Sequence, residues 1–341
     1  MKSQTLPLRT LLLGTPMSAK RWEEIFLMLF KRRLTSGEIK TLLLLTSKKG
    51  EDAEEVGGCL RAARRLEPPK QVRLPFLMDV CGTGGDGMHT FNVSTVSAFV
   101  IAGAGGYIAK HGNRSVSSKV GSSDLMEALG VRLEVSVPQM LRALEKCRLG
   151  YFHAPLYHPS FSHIQPLRRE LGVRTVFNLM GPLMNPIELQ FQMIGVSNKN
   201  WLGPLSQALI LLRRKRAALV RSQEGLDELS TRATSDILYI EGQRVKRMCL
   251  HPAKLGFKKP GKDAYEGGNL AANRKIALGI LKDRVRGPRQ DIVLLNSGFA
   301  LWLMGLTPSV REGIERSRWA LRTGQALQVL EGLRQITRER N

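Results

Sequence analysis

The 341 residues are enough for about two packed domains, and 43% hydrophobic against 24% charged residues exclude a disordered tail, a collagen-like repeat or a fibre. Lys and Arg outnumber Asp and Glu by 52 to 29, a net charge of +23 that favours anionic partners. No apolar run approaches the roughly 18 residues that span a bilayer, and Cys59, Cys81, Cys147 and Cys249 lack the spacing of a zinc knuckle or a disulfide framework, which fits reduced thiols in a cytoplasmic protein.

Residues 1–17 are too weakly apolar for a signal peptide and read as a frayed extension. From Ala19 to Leu66 apolar residues such as Trp22, Ile25, Phe26, Leu29 and Phe30 recur at helical spacing. Thr35 with Glu38 forms a candidate capping box, and Asp52 with Glu55 opens a further helix the same way. Pro68 and Pro69 end this helical block. Phe76 to Val80 then reads as a strand, Ser94 to Gly103 as a helix, Tyr107 to Ala109 as a strand, Leu125 to Leu129 as a helix and Val131 to Val135 as a strand. Such β-α-β-α alternation predicts an α/β domain. Gln165 to Pro186 interrupts it with helical arginines and a GPLMNP turn, after which Gln190 to Val196, Ala217 to Val220 and Ile237 to Tyr239 read as further strands. A lysine- and glycine-rich surface loop over 256–268 leads to a helix at 270–282, and an arginine-studded helix from about Pro308 to Arg340 closes the chain.

Three clusters carry chemistry. In Asp79-Val80-Cys81-Gly82-Thr83-Gly84-Gly85-Asp86 a strand runs directly into three glycines, and Asn92-Val93-Ser94-Thr95 then starts a helix. Backbone N–H groups of such a turn can close on phosphate oxygens while the helix N-terminus adds partial positive charge. Taken alone, the segment is equally a tight β-α turn with Ser94 as N-cap. Neither a Walker lysine nor full GxGxxG spacing accompanies it. Lys110-His111-Gly112-Asn113-Arg114-Ser115 follows the next strand, at the sheet edge where open α/β folds bind ligands. Lys110 there offers a point charge for phosphate, and Ser117, Ser118, Ser122, Ser123 and Asp124 continue the loop. Asp227-Glu228 lies just past the strand of residues 217–220. Two adjacent acids on a loop are usually solvated, but in a basic chain beside a phosphate loop they suit Mg²⁺, a hard ion that bridges carboxylate to substrate phosphate.

In combination, GTGGD at 82–86, TFNVST at 90–95, KHGNRSVSSKVGSSD at 110–124, RRELG at 168–172, GPLMNP at 181–186 and GLDE at 225–228 resemble the anthranilate phosphoribosyltransferases over nearly the whole chain. The resemblance implies a small helical domain, residues 18–70 with 166–187, and a larger α/β domain with a central, mostly parallel sheet, residues 75–165 with 188–341. It places phosphoribosyl pyrophosphate at Gly82, Thr83, Gly85, Asp86, Asn92, Ser94, Thr95, Lys110 and Ser122. Anthranilate falls at Gly82, His111, Asn113, Arg168 and Pro182, where Arg168 can present a forked guanidinium to a carboxylate. Mg²⁺ falls at Ser94, Asp227 and Glu228. The family relation further implies a cytoplasmic homodimer formed through the helical domain, with nucleic acid bound weakly at most. His111 is expected either to orient the acceptor ring or to accept a proton late, and no general base is assigned. Met184, Asn269 and Arg232-Ala233 depart from the family pattern, the last of these beside the acidic pair. A rival reading, a nucleic-acid-binding relative of the same fold, rests on the net charge, on Arg213-Arg214-Lys215-Arg216 and on the C-terminal arginines. In the first reading that run of cations is a solvated face which in part ends a helix.

Overall fold

A computed structural model describes residues 15–115 and 119–339. Seven strands form a single sheet: β1 (Leu77–Gly82), β2 (Tyr107–Gly112), β3 (Leu149–His153), β4 (Phe191–Gly195), β5 (Arg216–Ser222), β6 (Ser235–Glu241) and β7 (Arg244–Leu250), in the spatial order β3-β2-β1-β4-β5-β6-β7. The first five in that order run parallel, and β6 and β7 add an antiparallel hairpin. Strands such as Leu77-Met78-Asp79-Val80 and Phe191-Gln192-Met193-Ile194-Gly195 are buried throughout, as a parallel sheet covered on both faces requires. From β1 the chain winds outward to β2 and β3, then returns to the other side of β1 as β4. That reversal opens a crevice at the carboxyl ends of β1 and β4.

Two buried clusters sit on the two faces. The larger packs the helices Val93–Gly103, Pro288–Met304 and Gln325–Arg338 against the sheet. The other joins the helices Ala19–Phe30, Ala53–Leu66, Phe177–Leu183 and Leu202–Leu211 to the opposite face through Ile194, Leu219 and Ile240. Phe161 and Phe177 are built into this second cluster by ring contacts with Phe26 and Phe30 at 4.7–6.2 Å. Met17, at the end of the expected extension, is buried in the same cluster, and the rest of that extension up to residue 14 lies outside the described residues.

At Thr35 the capping box forms as expected, with Thr35 and Glu38 exchanging bonds. Asp52 caps the Glu55 N–H at 2.8 Å, but Glu55 does not reciprocate. Its side chain lies on the buried face of the helix, 3.1 Å from Lys49, and burial pushes its carboxyl up to about 7. Residues 131–135 form no strand: Val131 and Leu133 enter the core from irregular backbone. The sheet edge is taken instead by β3, which follows an unanticipated helix, Val137–Cys147. Strand β7 also escapes an apolar-run reading, because Arg244, Lys246 and Arg247 are exposed, the usual protection of an edge strand. The closing helix is two, Val310–Arg322 and Gln325–Arg338, broken where Gly324 takes φ 76°.

In the basic run at 213–216, Arg213 and Lys215 are exposed as expected just past the end of the helix Leu202–Leu211, but Arg214 is turned inward. Arg214 is 1% exposed. Its Nη1 donates to Glu188 at 2.9 Å and to the Leu189 carbonyl at 3.1 Å, and its Nε to Gln192 at 3.1 Å. Burial drags its guanidinium down to about 10, against the pull of Glu188. Without Arg214, Glu188 keeps its bridge to Arg64, but Gln192 Oε1 and the Leu189 carbonyl lose their buried donor, at a cost of about 1–3 kcal/mol. Arg214→Ala should lower the urea unfolding free energy by that order, whereas Arg213→Ala, on an exposed residue, should stay within about 0.5 kcal/mol.

Candidate active site

The crevice is built on a close approach. Gly82 and Gly195, the last residues of β1 and β4, are register partners, and Asp227 from the loop after β5 lies over both. A Cβ on Gly195 would fall 1.5 Å from the Asp227 carbonyl oxygen, and one on Gly82 would fall 2.4 Å from Asp227 Oδ2. The same Oδ2 accepts from the Gly84 N–H at 2.8 Å. Thr83 donates its N–H to the Gly195 carbonyl at 2.9 Å, and Ser197 Oγ donates to the Gly84 carbonyl at 2.8 Å, so the glycine turn is stitched to β4. Gly84 and Gly85 both take positive φ, which that turn needs. Glu228 Oε1 accepts from the Ser94 N–H at 3.2 Å, in the first turn of the helix Val93–Gly103.

This acidic pair is therefore not solvated: Asp227 and Glu228 are 8% and 7% exposed. Burial, then Asp86, pushes the Asp227 carboxyl up to about 7, and burial, then Asp227, holds Glu228 well above the usual carboxylate range. Buried carboxylates that resist ionising in this way fit a bound cation, and their oxygens suit a hard divalent ion. Among the described residues no three His, Cys, Asp or Glu side chains are grouped to hold a metal. An ion here would complete its shell from substrate or water oxygens, as Mg²⁺ commonly does. Lys110 stands inside β2 rather than on an open loop, 2% exposed, with Nζ donating to the Val80 carbonyl at 2.7 Å. Its charge offsets those of Asp79 and Glu228. Asn92 Nδ2 and Thr95 Oγ1 are buried with no partner among the described residues. Ser122 Oγ lies 2.9 Å from the Tyr151 hydroxyl and 3.4 Å from the Asn113 carbonyl. Ser117 and Ser118 lie outside the described residues.

The second group gathers at residues 181–185, where the helix Phe177–Leu183 ends and turns, so the expected GPLMNP turn is in part the last turn of that helix. Three of its carbonyls each accept from a side chain: Gly181 from His111 Nδ1 at 3.1 Å, Pro182 from Gln192 Nε2 at 2.6 Å and Met184 from His158 Nε2 at 2.7 Å. Asn185 Nδ2 donates to Asp79 at 2.9 Å and to the Ala109 carbonyl at 2.7 Å. Pro182 is thereby fixed beside His111. Burial, then His158, presses His111 down to about 3, so its ring is neutral near pH 7. With Nδ1 donating to Gly181, the buried Nε2 is left as an acceptor without a partner among the described residues. Arg168 stacks over Phe177 at 5.6 Å and donates to Asn178 Oδ1 at 3.2 Å, while its Nε is buried and unpartnered among the described residues. Gly195, Ser197, Gln192 and His158 are absent from the sequence-based set. A signal existed for one of them: Gln192 is a lone polar residue in a fully buried apolar strand, and such a residue needs a partner.

A glycosylating enzyme is the class that this sheet and crevice define: the family model described as "Glycosyl transferase family, a/b domain" matches residues 74–327. The anthranilate phosphoribosyltransferase of Persephonella marina is 40% identical over 330 residues, covering 95% of this chain and 96% of its own. The crystal structure of the anthranilate phosphoribosyltransferase of Thermus thermophilus superposes with a TM-score of 0.90 at 35% identity, over 98% of this chain and 99% of that one. That of Saccharomyces cerevisiae, in complex with PRPP and Mg, gives 0.89 at 25% identity over 98% of both chains. The chain belongs to the anthranilate phosphoribosyltransferase family.

The raised proton affinity of Asp227 has a consequence for stability. Its folded pKa lies above its unfolded one, so the folded state binds the extra proton and stability falls as pH rises from about 4 to 7. Asp227→Asn should flatten that decline and, in EDTA at pH 8, leave the variant more stable than the parent by on the order of 2 kcal/mol in urea unfolding.

Proposed function

We propose that this chain transfers the phosphoribosyl group of phosphoribosyl pyrophosphate to the amine of anthranilate, giving N-(5-phosphoribosyl)anthranilate and pyrophosphate in tryptophan biosynthesis, with Mg²⁺ as cofactor. The observation that carries this reading is the buried Asp227–Glu228 pair, locked over the paired glycines of β1 and β4 at the mouth of a phosphate-type turn. Gly82, Thr83, Gly85, Asp86, Asn92, Ser94, Thr95, Lys110 and Ser122 bind phosphoribosyl pyrophosphate. The unpartnered Asn92 and Thr95 side chains and the N-terminus of the helix Val93–Gly103 support that assignment. Asp227, Glu228 and Ser94 would hold Mg²⁺, which when bound neutralises charge building on departing pyrophosphate.

Displacement at C1 of the ribose puts positive charge on the sugar and negative charge on the leaving group, so fixed charges and positioning supply most of the catalysis. Lys110, clamped to Val80, adds fixed positive charge beneath the crevice. Gly82, His111, Asn113, Arg168 and Pro182 receive anthranilate. Arg168 binds its carboxylate through the guanidinium already braced on Phe177 and Asn178. His111, neutral and short of a donor at Nε2, orients the ring from the side of the 181–185 turn.

Residues 18–70 with 166–187 form the helical domain and residues 75–165 with 188–341 the α/β domain. The larger buried cluster lies within the α/β domain but for Ile187, whereas the second spans the boundary, joining the helical block to Ile194, Leu219, Ile240 and the helix Leu202–Leu211. The chain works as a homodimer through the helical domain, with Leu44 exposed on the helix Ser36–Lys49 as an apolar contact, and it acts in the cytoplasm. Nucleic acid binds weakly at most, since the Arg213–Arg216 run turns its second arginine inward. No helix among the described residues is long and apolar enough to cross a membrane.

Loss of anthranilate fluorescence with phosphoribosyl pyrophosphate and Mg²⁺ tests the activity, and well-folded protein without that loss refutes it. Asp227→Asn with Glu228→Gln should abolish most turnover across a Mg²⁺ titration while the protein stays folded by circular dichroism. Arg168→Ala should raise the KM for anthranilate by about 10- to 100-fold, the worth of a charge-assisted contact. The KM for phosphoribosyl pyrophosphate should stay within about twofold, as measured in the same assay.

A further inference from the structure

One half-buried acidic group, linked to the site through His158, has no part in the roles above. Glu67 follows the helix Ala53–Leu66 as its C-cap and reaches into the 158–161 segment. Its Oε2 lies 2.8 Å from His158 Nδ1, and its Oε1 accepts from the Ser160 N–H at 2.9 Å. The other nitrogen of His158, Nε2, donates to the Met184 carbonyl at 2.7 Å. Both edges of the His158 ring are thus tied, one to the helical block and one to the 181–185 turn. The His111 ring stands edge-to-face against it, with centroids 5.1 Å apart and planes at 85°, and bonds the first carbonyl of the same turn. Glu67, His158, the turn and His111 therefore make one continuous linkage, which ends at the unpartnered Nε2 of His111.

Side chains of 8% and 14% exposure make the Glu67–His158 pair, and a polar pair taken out of water seldom outperforms apolar packing of the same volume. What the pair supplies is direction. A hydrogen-bonded imidazole held at both nitrogens cannot rotate, and its face sets the plane of the ring packed on it. Hydrogen bonds from His158 and Ser160 outweigh burial and keep the Glu67 carboxyl below the usual range, so it remains an acceptor at neutral pH. Lys110 and His153 also act on His111 but do not bond residues 181–185; Asp79 accepts from the His111 N–H at 3.4 Å and from Asn185 at 2.9 Å, which fixes the backbone of His111 and the far end of the segment and leaves the plane of the ring to His158.

We propose that Glu67 is a positioning residue for the acceptor site, acting through His158 to hold the 181–185 turn and the His111 ring where the acceptor amine must lie. This rests on the acceptor assignment made above. Two measurements on the full chain separate the proposal from that assignment. Long-range ¹H–¹⁵N spectra of the imidazoles, assigned with His111→Asn and His158→Asn, should show His111 as the neutral tautomer protonated at Nδ1. In Glu67→Ala that signal should shift towards the averaged values of a ring free to exchange, and Glu67→Gln should restore it, because an amide can bond both His158 Nδ1 and the Ser160 N–H. In the fluorescence assay Glu67→Ala should raise the KM for anthranilate about tenfold, the worth of one charge-assisted hydrogen bond, with the KM for phosphoribosyl pyrophosphate within twofold and Glu67→Gln near the parent. Glu67→Asp, a milder shortening, should move the same two readouts in the same direction if the alanine variant does not fold. An unchanged His111 spectrum in the Ala and Asp variants overturns the proposal, as does an equal change in both KM values or a fall in kcat alone. A parent enzyme without turnover would refute the acceptor assignment, while the imidazole spectra would still decide whether Glu67 orients His111.

Discussion

Asp227 passes so close to the ends of β1 and β4, with its backbone over Gly195 and its carboxyl over Gly82, that neither strand can carry a side chain there. Gly82 and Gly195 face each other in register, and the space a methyl group would fill on either is occupied by Asp227. Everything else in the crevice follows from that contact. It sinks the acidic pair below the surface, brings Oδ2 onto the Gly84 N–H and draws Glu228 to the start of the helix Val93–Gly103. The resulting charge density is unfavourable to the empty fold and useful to an enzyme whose substrate arrives with a divalent ion, a common exchange of stability for function.

A second constraint acts at residues 181–185. Residues 181–185 carry carbonyls that the end of the helix Phe177–Leu183 leaves unsatisfied, and Gln192, His111 and His158 satisfy them, while Asn185 of the same segment ties it to Asp79 and the Ala109 carbonyl. Each is a polar side chain buried where an aliphatic one would pack more cheaply. The turn is consequently rigid relative to the sheet, and Pro182 and His111 share one frame of reference. Polar groups in this core are scaffolding for the site rather than defects of packing.

The motifs showed clearly in the sequence because strand, glycine turn and helix start are encoded locally. The continuous apolar burial of β1 and β4 and the capping box at Thr35 are of the same kind. What escaped the sequence depends on partners distant along the chain. Glu55 looks like half of a capping box until the helix face it occupies is known. Val131 and Leu133 look like a strand until β3 takes the edge. Lys110 looks like a loop cation until β2 proves to run through Gly112, and Arg214 looks like surface charge until Glu188 and Gln192 close on it. Gly195 gave no signal at all, because its need arises only from a loop that folds back from more than thirty residues downstream.

The aromatic cluster of Phe26, Phe30, Phe161 and Phe177 has a consequence for how the chain is made. Its first two rings leave the ribosome long before the other two, with β1, β2 and β3 synthesised in between. At about 5–20 residues per second, the part of the first helix that meets Phe161 and Phe177 stays uncovered for on the order of ten seconds, while the helix Ala53–Leu66 can cover the rest early. During that interval the N-terminal block carries a sticky apolar surface whose natural cover does not yet exist. The burden of keeping the nascent chain from aggregating thus falls on the earliest part of the molecule, and it is lifted only when the segment carrying Phe161 and Phe177 arrives.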